Sequence, residues 1–169
     1  MTIKQLSIFI ENKGGTLIKV LDLLSKANIQ IIASTIADTK DYGIYRVLCN
    51  NPSQAYIILK EAGINVQLAD VIALSIDDEP GRAANAIKEL SDAGISILYM
   101  YSFLWKGKGV LVFRADPAEK AKETIMDGFF SDLAAIDIGS AIAHLGEAEG
   151  ISINQETVNK IFEKFCLGK

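Results

Sequence analysis

Asp77-Asp78-Glu79 places three carboxylates in a row immediately before Pro80-Gly81-Arg82. Adjacent acids invite a metal reading, but consecutive turn residues rarely converge on one ion without further ligands. The chemistry they fit better is recognition of a charged small molecule. Asp78 can accept hydrogen bonds from an ammonium group, and Arg82 can pair with a carboxylate. Gly81 allows close backbone approach, and the first N–H groups of a following helix attract an anion. The same residues also read as a capped helix start whose acids suit the helix dipole. Elsewhere the chemistry is sparse. His144 is the single histidine and has no nucleophile motif or ordering carboxylate around it. Cys49 and Cys166 stand apart, without CxxC spacing, and read as two reduced thiols. Gly107-Lys108-Gly109 suits a hairpin better than a phosphate loop. With no nucleophile–base pair, metal cluster or cofactor loop in the pattern, no enzyme, metal or cofactor is expected.

The elements that must position the acidic turn emerge when the chain is slid against itself by 66 residues. Ile10 then meets Ile76, Gly15 meets Gly81, Leu24-Ser25 meets Leu90-Ser91, Ile31 meets Ile97 and Gly43 meets Gly109. Each copy opens with a strand (Leu6, Ile8, Ile10; Ile72, Leu74, Ile76) that alternates onto one face. A turn follows, Glu11 to Gly15 or Asp77 to Gly81. Next comes a helix with apolar residues at helical spacing: Leu17, Val20, Leu21, Leu24 in one copy and Ala83, Ala86, Ile87, Leu90 in the other. Asn28 and Gly94 suit the helix ends. Two paired strands are expected from Ile29 to about Ala37 with Gly43–Cys49, and from Ile95 to about Leu104 with Gly109–Ala115. Asn51-Pro52 and Asp116-Pro117 then open second helices. In copy one Gly63 ends that helix and Ile64–Leu68 supplies a last strand. This βαββαβ order predicts an α+β, ferredoxin-like fold repeated twice, with antiparallel sheets and helices on one face. Residues 1–69 and 70–130 are the two expected domains, and 131–169 a C-terminal extension. A copy of about 65 residues buries little apolar surface, so pairing within the chain and a homodimer are both expected.

Half the 169 residues are hydrophobic, 22% are charged and the net charge is −4, a globular balance. The basic residues are scattered, which argues against nucleic acid as a partner. No apolar run approaches the roughly 20 residues that cross a bilayer, and Met1 to Gln5 lacks signal-peptide character. A cytoplasmic protein with no membrane partner is expected.

Asp78-Glu79-Pro80-Gly81-Arg82-Ala83 and the junction Asp92-Ala93-Gly94-Ile95-Ser96-Ile97, with its twin Lys26-Ala27-Asn28-Ile29-Gln30-Ile31, resemble the ACT domain over roughly residues 3–130. ACT domains are the regulatory modules of aspartate kinases, phosphoglycerate dehydrogenase and the small subunit of acetolactate synthase. A tandem pair without an attached enzyme is similar to the stand-alone amino-acid-binding members. The resemblance implies amino-acid binding between two such domains, held by the first turn of one and the early second strand of its neighbour. It marks Asp78, Pro80, Gly81, Arg82, Ala83 and Ser96 in copy two, and Asn12, Gly15, Thr16 and Gln30 in copy one. Copy one departs from the motif, with Gly14 where it has Pro and Asn12 where it has Asp. Gln30 and Ser96 stand where many members carry Asn.

Tyr99, Tyr101, Phe103 and Trp105 alternate along one strand and read as a packing or interface stripe. In the extension, Leu133–Ile138 reads as a displaced last strand or a helix start. Val158, Ile161, Phe162 and Phe165 make an apolar helical stripe. The function expected is that of a non-catalytic amino-acid sensor. The second reading is a regulatory subunit whose main role is contact with a partner enzyme.

Overall fold

The computed structural model describes residues 2–126. Ten elements follow one another: β1 (Thr2–Glu11), α1 (Thr16–Lys26), β2 (Ile31–Asp38), β3 (Tyr42–Cys49), α2 (Pro52–Glu61), β4 (Val66–Asp77), α3 (Arg82–Asp92), β5 (Ser96–Trp105), β6 (Lys108–Asp116) and α4 (Ala118–Met126). The strands form one antiparallel sheet in the order β2-β3-β1-β4-β6-β5. This is the tandem ferredoxin-like architecture that the repeat implies. The expected final strand of copy two, and the extension with His144, Cys166 and the Val158–Phe165 stripe, lie outside the described residues.

In one respect the chain differs from two plain copies. Ile64–Leu68 was expected to end copy one and a separate strand to open copy two. Val66–Leu68 and the next strand both belong to β4, which is 12 residues long, while Ile64 and Asn65 precede it. Ala69-Asp70-Val71 contains neither Gly nor Pro, so nothing stops the extended chain from continuing. Val66 to Ile72 pair with β1, and Ile72 to Asp77 pair with β6. The expected boundary at 69/70 therefore falls inside a strand shared by both copies.

That shared ladder has a two-fold logic. Thr2 faces Ile72 and Leu6 faces Leu68, while Lys4 faces Asp70. Asp70 is the position that the 66-residue repeat makes equivalent to Lys4, so the local axis passes between them. Their side chains form an ion pair, Lys4 Nζ to Asp70 Oδ1 at 2.9 Å.

The cores repeat as closely as the strands. The first contains Leu6, Ile8, Ile10, Val20, Leu24, Ile29, Tyr45, Val47, Cys49, Ala55, Leu59 and Val66. The second contains Ile72, Leu74, Ile76, Ala86, Leu90, Ile95, Leu111, Phe113, Ala115 and Ala121. Every residue of the second sits 66 positions after one of the first. Sizes shift in opposite senses: Val20 becomes Ala86, while Val47 becomes Phe113, so total volume is roughly kept. A third cluster lines the other face of the sheet and draws only on strand residues among those described, including Ile3, Leu48, Val71, Val110 and Val112. The aromatic stripe of β5 packs here, as a sheet-packing surface.

Local signals set the ends. The Asn51 side chain accepts the Gln54 N–H at 3.2 Å and Pro52 occupies the first turn of α2. Asn28 (φ 55°) and Gly94 (φ 72°) are left-handed just past α1 and α3. Lys106 and Gly107, both left-handed, make the two-residue turn that joins Trp105 to Lys108.

Candidate functional site

Both turns share one backbone conformation. Gly15 (φ 88°, ψ −15°) precedes α1 and Gly81 (φ 89°, ψ −16°) precedes α3. This left-handed geometry explains glycine at both positions, since a Cβ there would meet nothing within 4 Å and only the backbone angle excludes it. Neither helix receives a side-chain cap, and neither has an acid in its first turn. The acids of the second turn therefore place no side-chain cap on α3. Its first N–H, that of Arg82, donates to the Glu79 carbonyl at 3.3 Å, and the next N–H groups of the first turn stay available to an anion.

The side chains around the two turns are arranged differently. In copy one, Asn12 Nδ2 donates to the Thr39 carbonyl at 2.6 Å, drawing the turn onto the β2–β3 connection. Its Oδ1 lies 3.2 Å from where a Cβ on Gly43 would stand. Thr16 Oγ1 lies 2.7 Å from the Glu11 carbonyl and 2.8 Å from that of Lys13. Asn12 and Thr16, two of the residues expected to bind a ligand here, are thus engaged with the chain's own carbonyls. A cavity of about 490 Å³ beside it is lined by Thr16, Lys19 and Tyr42 and by Gly63–Asn65 after α2.

In copy two, the equivalent of Asn12 is Asp78, which is exposed and makes no hydrogen bond or ion pair with a described residue. A cavity of about 390 Å³ opens there, lined by Ile76, Asp77, Asp78, Glu79, Gly81 and Ala83 on one side. Ser102, Phe103, Leu104, Gly109 and Leu111 line the other. Asp77 accepts from Lys108 Nζ and has Arg82 Nη2 at 3.6 Å. The Lys108 hydrogen bond and charge, with a smaller contribution from Arg82, hold its carboxyl below the usual carboxylate range. Arg82 Nε also donates to Glu79 Oε2 at 3.1 Å. Its guanidinium is therefore occupied by two acids, and Asp78 is the carboxylate left unengaged. Pro80 is exposed in the turn, and Ala83 packs onto the second core.

Two expected contacts are not assembled within the chain. Ser96 is exposed and lies six residues, about 20 Å, along β5 from Ser102. Strands β6 and β4 separate it from β1 and the first turn. Gln30 precedes β2 at the other outer edge, its N–H donating to Asn50 Oδ1 at 3.0 Å. The hairpin residues Ser102–Leu104 and Lys108 were missed by sequence reasoning. The available signal was the Gly43/Gly109 match, which marks the strand position closest to each turn. Among the described residues no group of three or more His, Cys, Asp or Glu could hold a metal ion. No described helix is long and apolar enough to cross a membrane. Cys49 is buried in the first core, which pushes its thiol up to about 11, so it stays protonated and unreactive at neutral pH.

Comparison with known proteins now bears on this geometry. The tRNA modification GTPase MnmE of Acetivibrio thermocellus is 39% identical over 62 residues. These are 37% of this chain, and the chain spans only 14% of that protein's length. The fold is shared with the ligand-free regulatory subunit of aspartate kinase from Thermus thermophilus (TM-score 0.56, 16% identity, covering 76% of this chain and 97% of that one). Protein BT0572 from Bacteroides thetaiotaomicron is much nearer, with TM-score 0.73 and 37% identity over 79% of this chain and 90% of its own. The ACT domain pair family matches residues 1–141, the span that carries the repeat, the shared strand and both glycine turns, and the chain belongs to that family.

Proposed function

We propose that this protein is a non-catalytic regulator that binds an amino acid at the second turn. The observation that carries this reading is Asp78. It lines a cavity of about 390 Å³ beside a helix N-terminus without a side-chain cap and has no partner among the described residues. A carboxylate suits an α-ammonium, and the first N–H groups of α3 suit the α-carboxylate. The early-strand contact from Ser96 is supplied by a second copy, because the chain's own Ser96 lies far from either turn. The outer strand β5 suits such pairing: it exposes Leu98, Met100 and Leu104 at 57%, 40% and 64%, an apolar edge of the kind that recruits another strand. Ligand bridging a turn and a neighbour's strand favours one relative orientation of the two, which is how binding becomes regulation.

The same apolar edge supports a second reading, in which contact with a metabolic enzyme is the main role and β5 is the contact surface. A thermal-shift screen against the twenty amino acids separates the two, since a ligand at 100 times its dissociation constant adds about 2.7 kcal/mol. For the amino acid that stabilises, Asp78→Ala is expected to weaken calorimetric binding by about 1.5–3 kcal/mol. No stabilisation by any amino acid, or an unchanged affinity in Asp78→Ala, transfers the function to the partner-contact reading.

A further inference from the structure

The face of the sheet opposite the two helix-side cores carries a positive charge that no described carboxylate pairs. Gln5 is fully buried there. Its Nε2 donates to Tyr99 Oη at 2.8 Å and its Oε1 accepts from Tyr101 Oη at 2.9 Å. Arg46 lies with its guanidinium carbon 4.0 Å from the centroid of the Tyr99 ring. Arg46 is on β3 and Tyr99 on β5, with β1, β4 and β6 between them. At about 4.8 Å per strand a flat sheet would hold them roughly 19 Å apart, so the sheet curls towards this face and brings them together.

Within that curl the polar groups are incompletely matched. Arg46 Nε is buried and has no hydrogen-bond partner among the described residues. No described carboxylate forms an ion pair with Arg46, nor with Arg114, which faces Tyr99 across the β5–β6 ladder. Tyr99 Oη accepts the Gln5 proton and donates its own to no described residue. A buried guanidinium edge without an acceptor is costly unless something fills it. Here the unfilled donors are N–H and O–H groups beside two arginines, and the side chains that hold them are braced by Gln5. Guanidinium N–H and hydroxyl donors are the groups by which proteins take an oxyanion.

We propose that the curled strand face binds a small oxyanion, a carboxylate or phosphate group, through Arg46 and the Tyr99 hydroxyl. This site is separate from the second turn and uses none of its residues. Acetate, succinate and inorganic phosphate serve as probes, with sodium chloride at equal ionic strength as the control. The expected result is a saturable shift of the Arg46 Nε–H resonance with at least one oxyanion at millimolar concentration, and a matching rise in melting temperature. Which of the three acts distinguishes a carboxylate from a phosphate source. Arg46→Met should abolish the melting-temperature response while melting no lower than the parent in chloride, because an unpaired buried charge is removed. Tyr99→Phe keeps the stacked ring and loses the hydroxyl, and should weaken binding several-fold. An Arg46 resonance that moves no more with oxyanions than with chloride overturns the proposal. So does an Arg46→Met variant that melts well below the parent while the parent ignores all three anions. In that case the guanidinium is only a clamp on Tyr99.

Discussion

The two glycine turns have the same backbone angles within a degree or so and opposite side-chain behaviour. At Gly15 the chain closes on itself: Asn12 reaches the Thr39 carbonyl and Thr16 those of Glu11 and Lys13. At Gly81 the corresponding side chain, Asp78, bonds to no described residue, and a cavity lies beside it. Backbone shape and core positions therefore persist between copies, while the polar residues carried on that shape diverge. A duplicated fold can hold one turn as structure and free the other for a ligand, because the bend itself depends only on glycine and the strand–helix packing beneath it.

The cores test how independent the copies are. Phe113 is the largest fully buried side chain, in a core where the equivalents of Val20 and Tyr45 are the smaller Ala86 and Leu111, so copy two should lean harder on this one side chain. Phe113→Ala is expected to cost about 3–5 kcal/mol in urea denaturation. At its equivalent, Val47→Ala removes two carbons and should cost about 2 kcal/mol. Equal losses would mean that the size exchanges do not offset one another within each core.

The turns themselves give the next effects. Gly15→Val and Gly81→Val each force a β-branched residue into left-handed geometry and should cost a similar amount, about 1–2 kcal/mol. The polar variants should then part company. Asn12→Ala loses a side-chain hydrogen bond to the backbone and should cost about 0.5–1.5 kcal/mol, whereas Asp78→Ala should leave the unliganded stability nearly unchanged. Denaturation of all four variants without ligand checks both claims. A substantial loss in Asp78→Ala would make that turn structural too.

Most of the fold was legible because the repeat is strict where burial dictates it. The periods of Leu6-Ile8-Ile10 and Ile72-Leu74-Ile76, the caps at Asn28 and Asn51, and the paired glycines each state a local rule. The fusion of Val66–Leu68 with the next strand was not legible as a single strand, although the absence of a turn residue at 69–71 was its cue. The turn residues of the candidate site were readable from their types. Their hairpin partners Ser102–Leu104 and Lys108 were not, since a cavity wall of Ser, Phe and Leu has no sequence signature. Arg46 stacking on Tyr99 was hidden for another reason. It depends on the curl of a whole sheet across three intervening strands, which no local pattern encodes.

Charge at the second turn provides a smaller effect with a defined sign. Asp77 is held below the usual carboxylate range chiefly by Lys108. Its proton binds more readily in the unfolded chain, so its contribution is fully present above the ordinary value of about 3.9 and is lost as pH falls through the lower folded value. The side chain is partly exposed and solvent screens the pair, so the effect on stability should be slight. An NMR titration should place the Asp77 midpoint below that of an ordinary aspartate, and Lys108→Met should return it upward. A midpoint that ignores Lys108 would remove this ion pair from the picture of the turn.

The smallest expected effect lies on the local two-fold axis. Lys4 and Asp70 occupy equivalent positions of the repeat and face each other. Two identical copies meeting this way would set the residue on the axis against its own counterpart, so any charge there would repel. A single chain carrying both copies escapes that constraint, and here the positions hold opposite charges 2.9 Å apart. Both side chains are about half exposed, 51% and 54%, so the pair is worth only about 0.2–1 kcal/mol. Asp70→Lys should cost a similar amount through like-charge facing across the ladder, as should Lys4→Asp. Combining Lys4→Asp with Asp70→Lys should restore the parent stability, and the double-mutant cycle reads the coupling directly. The effect should shrink in high salt. A cycle with no coupling at low salt would leave the seam between the copies to the backbone ladder and the cores, and would make the divergence of Lys4 and Asp70 incidental to how the two halves join.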